Sequence, residues 1–194
     1  MNSRAASRRP SHSSLGDVKP CDHLLHVYGD DERLLQVLEW FVGKGLQGDG
    51  AVIVIATPRH LQDLEMRLRA NLIAIDQARW QGRYVPLVAG EVLEKVLVNG
   101  WPDEWRFNDV MDKYVARARE GWRPVRAFGE MVSLLMERGQ KAATVRLEQI
   151  WSAYCNREEL PLLCAYPEPL FAQNPGDSMV VIAAQHTRVL APSA

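Results

Sequence analysis

Six short apolar runs, almost unbroken by polar residues, alternate along this chain with longer segments whose apolar side chains recur at helical spacing. A strand with one wet face alternates apolar and polar residues, whereas a strand covered on both faces is apolar throughout. The runs therefore specify a mostly parallel sheet held between two helical layers. The expected strands are residues 24–28, 51–56, 83–88, 124–128, 161–165 and 179–184. Between them, Leu34, Leu38, Phe41 and Val42 form one helical stripe, and Leu61, Leu64 and Leu68 form another that ends near Asn71. The longest connection holds a short helix over residues 91–98, the stretch NGWPDEW, and a helix with Phe107, Val110, Met111, Tyr114, Val115 and Ala118 in register before Gly121. After a break at Gly139, Ala143, Leu147, Ile150, Trp151 and Tyr154 share one face of a last helix. The fold class expected is α/β, a three-layer sandwich with helices on both faces of the sheet.

With 194 residues, 47% of them hydrophobic, the chain is large enough to bury one real core. Residues 1–20 are rich in Ser, Arg and Ala and poor in large apolar side chains, so they read as a flexible arm ahead of a single domain over residues 21–194. Lys and Arg number 23 against 24 Asp and Glu, a net charge of -1 that supplies no field to draw in nucleic acid or an anionic membrane. Cys21, Cys155 and Cys164 contain no CxxC pair, which argues against a disulfide framework or a thiolate zinc site and for a reducing cytoplasm. No apolar run reaches the ~18 residues of a membrane span, and the first residues lack the apolar core of a secretory signal.

The first strand leads into YGDDER, where many α/β proteins carry a phosphate-binding turn. A P-loop needs glycine-borne N–H groups, a lysine and a hydroxyl, and none of these follows the strand. Gly43, Lys44 and Gly45 sit at the far end of the helix and read as a helix stop. Asp30 or Asp31 instead caps the helix and matches the positive end of its dipole, so the phosphate turn is degenerate.

In open α/β sheets ligands bind beyond the carboxyl ends of the strands. The candidates, some of which are expected to line such a pocket, are His26, Tyr28, Glu130, Tyr166 and His186. Glu130, where a helix follows a buried strand, has three possible roles: capping that helix, orienting a ligand, or acting as a base. His26, Cys164 and His186 are scattered singly, without the spacing of a metal site, and Cys164 reads as a small core residue. No G-x-S-x-G elbow occurs, so no catalytic constellation, cofactor or metal is expected. Trp101, Trp105 and Trp122 are expected to pack against the body. The alternative is an exposed surface near residues 101–107 through which copies of the chain associate.

The segments HLLHVYGDDERLL, GLQGDGAVIVIATPRHLQDLEMRL, VRAFGEMVSLLMERGQKAATVRLEQIWSAY and LLCAYP, in that order over residues 21–190, resemble the MEDS domain, a sensory domain of the dichloromethane-regulator type found in methanogens and methylotrophs. The resemblance implies a RecA- and KaiC-like fold without a working Walker A motif, with residues 28–35 in place of the P-loop and residues 124–130 in place of a Walker B strand. It also implies a non-enzymatic module that binds a small, hydrocarbon-like molecule. Family members often carry an attached kinase or DNA-binding segment. Neither is recognisable here, so output would pass through a protein partner such as a kinase or regulator, or through a homo-oligomer. The competing expectation is a divergent nucleotide-binding or nucleotide-hydrolysing enzyme that uses Glu130.

Overall fold

A computed structural model describes residues 17–172 and 177–190; most of the expected arm, residues 1–16, lies outside them. The chain runs β1 (His23–Tyr28), α1 (Asp31–Gly45), β2 (Ala51–Ala56), α2 (Pro58–Ala70), α3 (Ile75–Trp80), β3 (Tyr84–Val88), α4 (Ala89–Val96), β4 (Leu97–Val98), β5 (Trp101–Pro102), α5 (Glu104–Ala118), β6 (Val125–Gly129), α6 (Met131–Glu137), α7 (Lys141–Glu158), β7 (Leu162–Pro167), α8 (Pro169–Ala172), α9 (Asp177–Ala183) and β8 (Arg188–Leu190). A six-stranded sheet takes the order β3-β2-β6-β7-β1-β8, and every neighbouring pair is parallel. Helices cover both faces, as the unbroken apolar strands require.

The strand expected at residues 179–184 is instead α9. Met179, Ile182 and Ala183 fall at i, i+3 and i+4 and face the core, while Val180 and Val181 are exposed. So short an apolar run fits a helix face as well as a strand. The sixth strand is β8, which pairs with β1 from Leu24↔Arg188 to His26↔Leu190.

Alternation along each strand sorts the core into two layers. Leu25, Ile53, Ala127 and Cys164 face α4 to α7, whereas Leu24, Val54, Phe128 and Leu163 face α1 to α3. In the first layer Trp151 meets the ring edges of Phe107 and Tyr154 at centroid distances of 4.7 and 6.1 Å. In the second, Leu34, Leu38 and Phe41 of α1 press fully buried against the sheet.

NGWPDEW forms a hairpin, β4 with β5, because Asn99 and Gly100 both take positive φ, 51° and 78°, the pair that a tight two-residue turn needs. Asp103 then caps α5 by accepting from the Arg106 N–H at 2.8 Å. The inward stripe of α5 is Phe107, Met111, Val115 and Ala118, which leaves Trp105 pointing outward. The expectation that the tryptophans pack against the body fails: Trp101 is half exposed, Trp105 is exposed and Trp122 is 96% exposed. No helix among the described residues is long and apolar enough to cross a membrane.

Two glycines test this packing in opposite directions. A Cβ on Gly50 would lie 2.1 Å from the Gly45 carbonyl oxygen, where α1 gives way to β2. Gly50→Ala is expected to destabilise by about 2 kcal/mol through overpacking. Gly90, inside α4, has nothing within 4 Å of its would-be Cβ. Gly90→Ala is expected to stabilise by roughly 0.5–1 kcal/mol by removing backbone freedom from the unfolded chain. Urea unfolding midpoints of the two variants, compared with the parent, check both signs.

Candidate functional site

At the carboxyl edge of the sheet, β1 passes into α1 through Gly29 and Asp30 alone. Asp30 is extended and its side chain accepts from the Arg33 N–H at 2.8 Å, capping α1. So short a turn leaves no loop to wrap a phosphate, and the cap already uses an amide that a P-loop would offer.

Beside it, Asp31 pairs with Arg59 at 3.0 Å and with His60 Nε2 at 3.6 Å. The Nδ1–H of His60 donates to Glu130 Oε1 at 2.7 Å, and the Thr57 N–H donates to Glu130 Oε2 at 2.8 Å. Glu130 is only 2% exposed and does not cap α6, the helix that follows it. Its backbone N–H instead donates to Ile55 O, so the residue binds the ends of β2 and β6 together. One imidazole thus links the start of α1, the first turn of α2 and the end of β6.

The charges here act on one another. Burial opposes the protonated form of His60, but the hydrogen bond to Glu130 and the charges of Glu130 and Asp31 outweigh it and raise the pKa above the usual imidazole value. Burial, then the charges of Glu130, Asp31 and Glu137, push the Tyr28 phenol well above its ordinary range. Burial and the neighbouring Glu130 likewise raise Glu137. Behind Tyr28, His26 lies with its ring centroid 6.1 Å from the phenol ring, and burial lowers its pKa to about 4 despite the nearby backbone of Arg33. Its two ring nitrogens make no hydrogen bond among the described residues.

A second polar cluster lies on the other face. His23 opens β1, Cys164 and Tyr166 project from β7, Glu148 and Ser152 come from α7, and His186 precedes β8. Tyr166 Oη donates to Glu148 Oε1 at 2.5 Å. Cys164 Sγ lies 3.5 Å and His23 Nε2 3.3 Å from Glu148 Oε2. Glu148 is wholly buried, which opposes its charge, yet His186, His23 and Tyr166 hold its carboxyl below the usual range. Burial, then Glu148, raises the Cys164 thiol. As expected of a small core residue, Cys164 is fully buried, and it is unpaired in disulfide terms like Cys21 and Cys155.

The sheet divides the five candidate pocket residues. His26 and Tyr28 face the α1 side and Glu130 stands at the carboxyl edge, but Tyr166 lies inside β7 on the α7 side. His186 is not beyond the carboxyl end of a strand at all. Because residues 179–184 are helical, it precedes β8 and sits near His23 at the amino end, with ring centroids 4.0 Å apart. Asp31, expected only as a helix cap, Thr57 and His60 join the carboxyl-edge group without having been named as pocket residues, as do His23, Glu148 and Ser152 in the other. Glu148 carried a signal: it is a charged residue one turn after Thr144 and one turn before Ser152, on a helix whose neighbouring positions are core. A shallow, open depression of about 600 Å³ lies elsewhere, between the ends of α5 and α7, walled by the Arg119–Glu158 pair, Asp112 and the exposed Trp122.

Comparison with functionally curated proteins returns no match. Comparison with protein families returns one that spans both clusters, from the residue before β1 to the residue before β8. Over residues 22–187 the chain matches, and so belongs to, the family described as MEDS, MEthanogen/methylotroph, DcmR Sensory domain.

Proposed function

We propose that this protein is a non-catalytic sensory module whose carboxyl-edge group, built on Tyr28, Asp31, His60 and Glu130, responds to a small, uncharged, hydrocarbon-like ligand. The observation that carries this reading is the α1 N-terminus of a sensory-domain family member, closed by its own carboxylates. Asp31, Glu130 and Glu137 surround Tyr28 with negative charge, which disfavours a triphosphate and leaves neutral molecules as the class that the edge tolerates. Both oxygens of Glu130 are engaged by Thr57 and His60, an arrangement suited to holding elements in place rather than to drawing a proton from a substrate. His60 touches carboxylates on two separate elements, so a ligand that moves one shifts the balance of the others. Output then passes to a protein partner or to a change in oligomer state, for which the exposed Trp101 and Trp105 offer anchoring surface. Three free cysteines suit a cytoplasmic setting.

A thermal-shift panel separates this reading from a nucleotide enzyme. Short halocarbons and alcohols are expected to raise the melting temperature, and magnesium-ATP to leave it unchanged. Magnesium-dependent stabilisation by ATP, with turnover lost in Glu130→Gln, establishes the enzyme instead.

The two histidines make stability depend on pH with opposite signs. The folded pKa of His60 is raised, so its contribution is fully present below the ordinary value of ~6.5 and is lost as pH rises through the folded value. His60→Asn is therefore expected to flatten the alkaline decline in the urea midpoint. His26 is lowered to about 4, so its contribution is present above ~6.5 and lost as pH falls toward 4, on the order of 3 kcal/mol in all. His26→Phe is expected to reduce that acid-side loss.

A further inference from the structure

We propose that His23, Glu148, Cys164 and His186 bind one divalent transition-metal ion of the zinc type, enclosed between β1, β7, α7 and the turn before β8. One donor atom from each side chain lies within 4.8 Å of the other three. Four of the six separations match those of a tetrahedral shell. Metal–nitrogen and metal–oxygen bonds of ~2.0–2.2 Å and metal–sulfur bonds of ~2.3 Å place ligand atoms about 1.6 bond lengths apart, roughly 3.3–3.6 Å. In the structure His23 Nε2 is 3.3 Å from Glu148 Oε2 and 3.4 Å from Cys164 Sγ, Cys164 Sγ is 3.5 Å from Glu148 Oε2, and His186 Nε2 is 3.6 Å from the same oxygen.

The hydrogen bonds around the cluster turn both imidazoles into ligands. The Nδ1–H of His186 donates to the Ile182 carbonyl at 2.7 Å. Ser152 Oγ donates to the Gln185 carbonyl at 3.0 Å, so toward His23 Nδ1, also at 3.0 Å, it must accept. Each ring therefore donates through Nδ1 and, in its neutral form, aims the lone pair of Nε2 inward. Those lone pairs face a carboxylate oxygen and a sulfur across a space with no water-facing exit: the side chains of Glu148 and His186 are 0% exposed, and that of His23 is 3%. His186 Nε2 has no hydrogen-bond partner among the described residues. Without a metal, the Cys164 thiol donates toward Glu148 Oε2 at 3.5 Å, and a cation at the centre would take the place of that proton while engaging the nitrogen lone pairs. The outer contacts complete the pattern of a metal site, since Tyr166 holds the free oxygen of Glu148 while Ser152 and Ile182 fix the two rings. Two nitrogens, one sulfur and one oxygen favour zinc over hard cations such as magnesium or calcium. Four protein ligands leave no open coordination position, the mark of a structural or regulatory site. On loading, the thiol proton of Cys164 leaves to solvent and the thiolate takes its place in the shell.

Cobalt(II) titration of the untagged, chelator-stripped full chain tests the proposal directly. One equivalent is expected to produce intense tetrahedral d–d bands together with a near-ultraviolet thiolate-to-cobalt band, and zinc is expected to bleach both. Cys164→Ala is expected to lose the thiolate band, His186→Gln to bind at least tenfold more weakly, and Ser152→Ala, which keeps all four ligands, about tenfold more weakly. His60→Gln, at the other cluster, is expected to titrate as the parent does. Absence of the thiolate band in the parent chain overturns the proposal whatever the variants do. So does unaltered binding in both Cys164→Ala and His186→Gln when circular dichroism shows them folded.

Discussion

Alternation of side chains across a parallel sheet decides which polar groups in this protein can meet. On β1 the sequence HLLHVY sends His23 and Leu25 to the α7 side and Leu24, His26 and Tyr28 to the α1 side. Two histidines three positions apart on one strand therefore belong to different sites. The same rule places Cys164 and Tyr166 beside Glu148 and keeps both away from Glu130. Each polar cluster is confined to its own layer, and each gathers around one buried carboxylate.

Those carboxylates play contrasting parts. Glu130 sits where strands end and helices begin, so its partners are a backbone N–H at the start of α2 and an imidazole from that helix's first turn. It ties separate elements by contacts that small shifts can make or break, which is what a responsive edge needs. Glu148 is sunk in the middle of an 18-residue helix, against the sheet, with its partners drawn from three segments of the chain. Removing any partner there leaves charge buried without compensation, the costliest change a core can suffer.

Much of this fold was legible before any coordinates, because unbroken apolar runs and helical stripes are strong, local signals. Residues 51–56 form β2 over their whole length, and the stripes on α1 and α7 bury the side chains they indicated, while on α2 and α5 Leu61, Val110 and Tyr114 are only partly buried beside the buried remainder. The run at residues 179–184 misled for a physical reason: six apolar residues are too few to display a period, and tertiary contact with α7 decided their conformation. That single error moved His186 from one end of the sheet to the other. The site residues were harder still. Tyr28 and Glu130 follow from the general rule about strand ends, but His60 and Glu148 matter only through partners far away in sequence, at separations of 70 residues for His60–Glu130 and 18 for Tyr166–Glu148. Nothing local marks such pairings.

The strand order also governs how the chain must assemble. β1 is the first strand made, yet its neighbours are β7 and β8, the last two. During synthesis from the amino end, both edges of HLLHVY and the apolar face of α1 remain without their partners until residues beyond 160 have emerged. Strands β2, β3 and β6 can pair earlier and present a half-sheet onto which the opening segment docks late. Such long-range closure makes for slow folding and a nascent chain prone to aggregation, a burden that falls on the segment carrying Tyr28, Asp31 and His23.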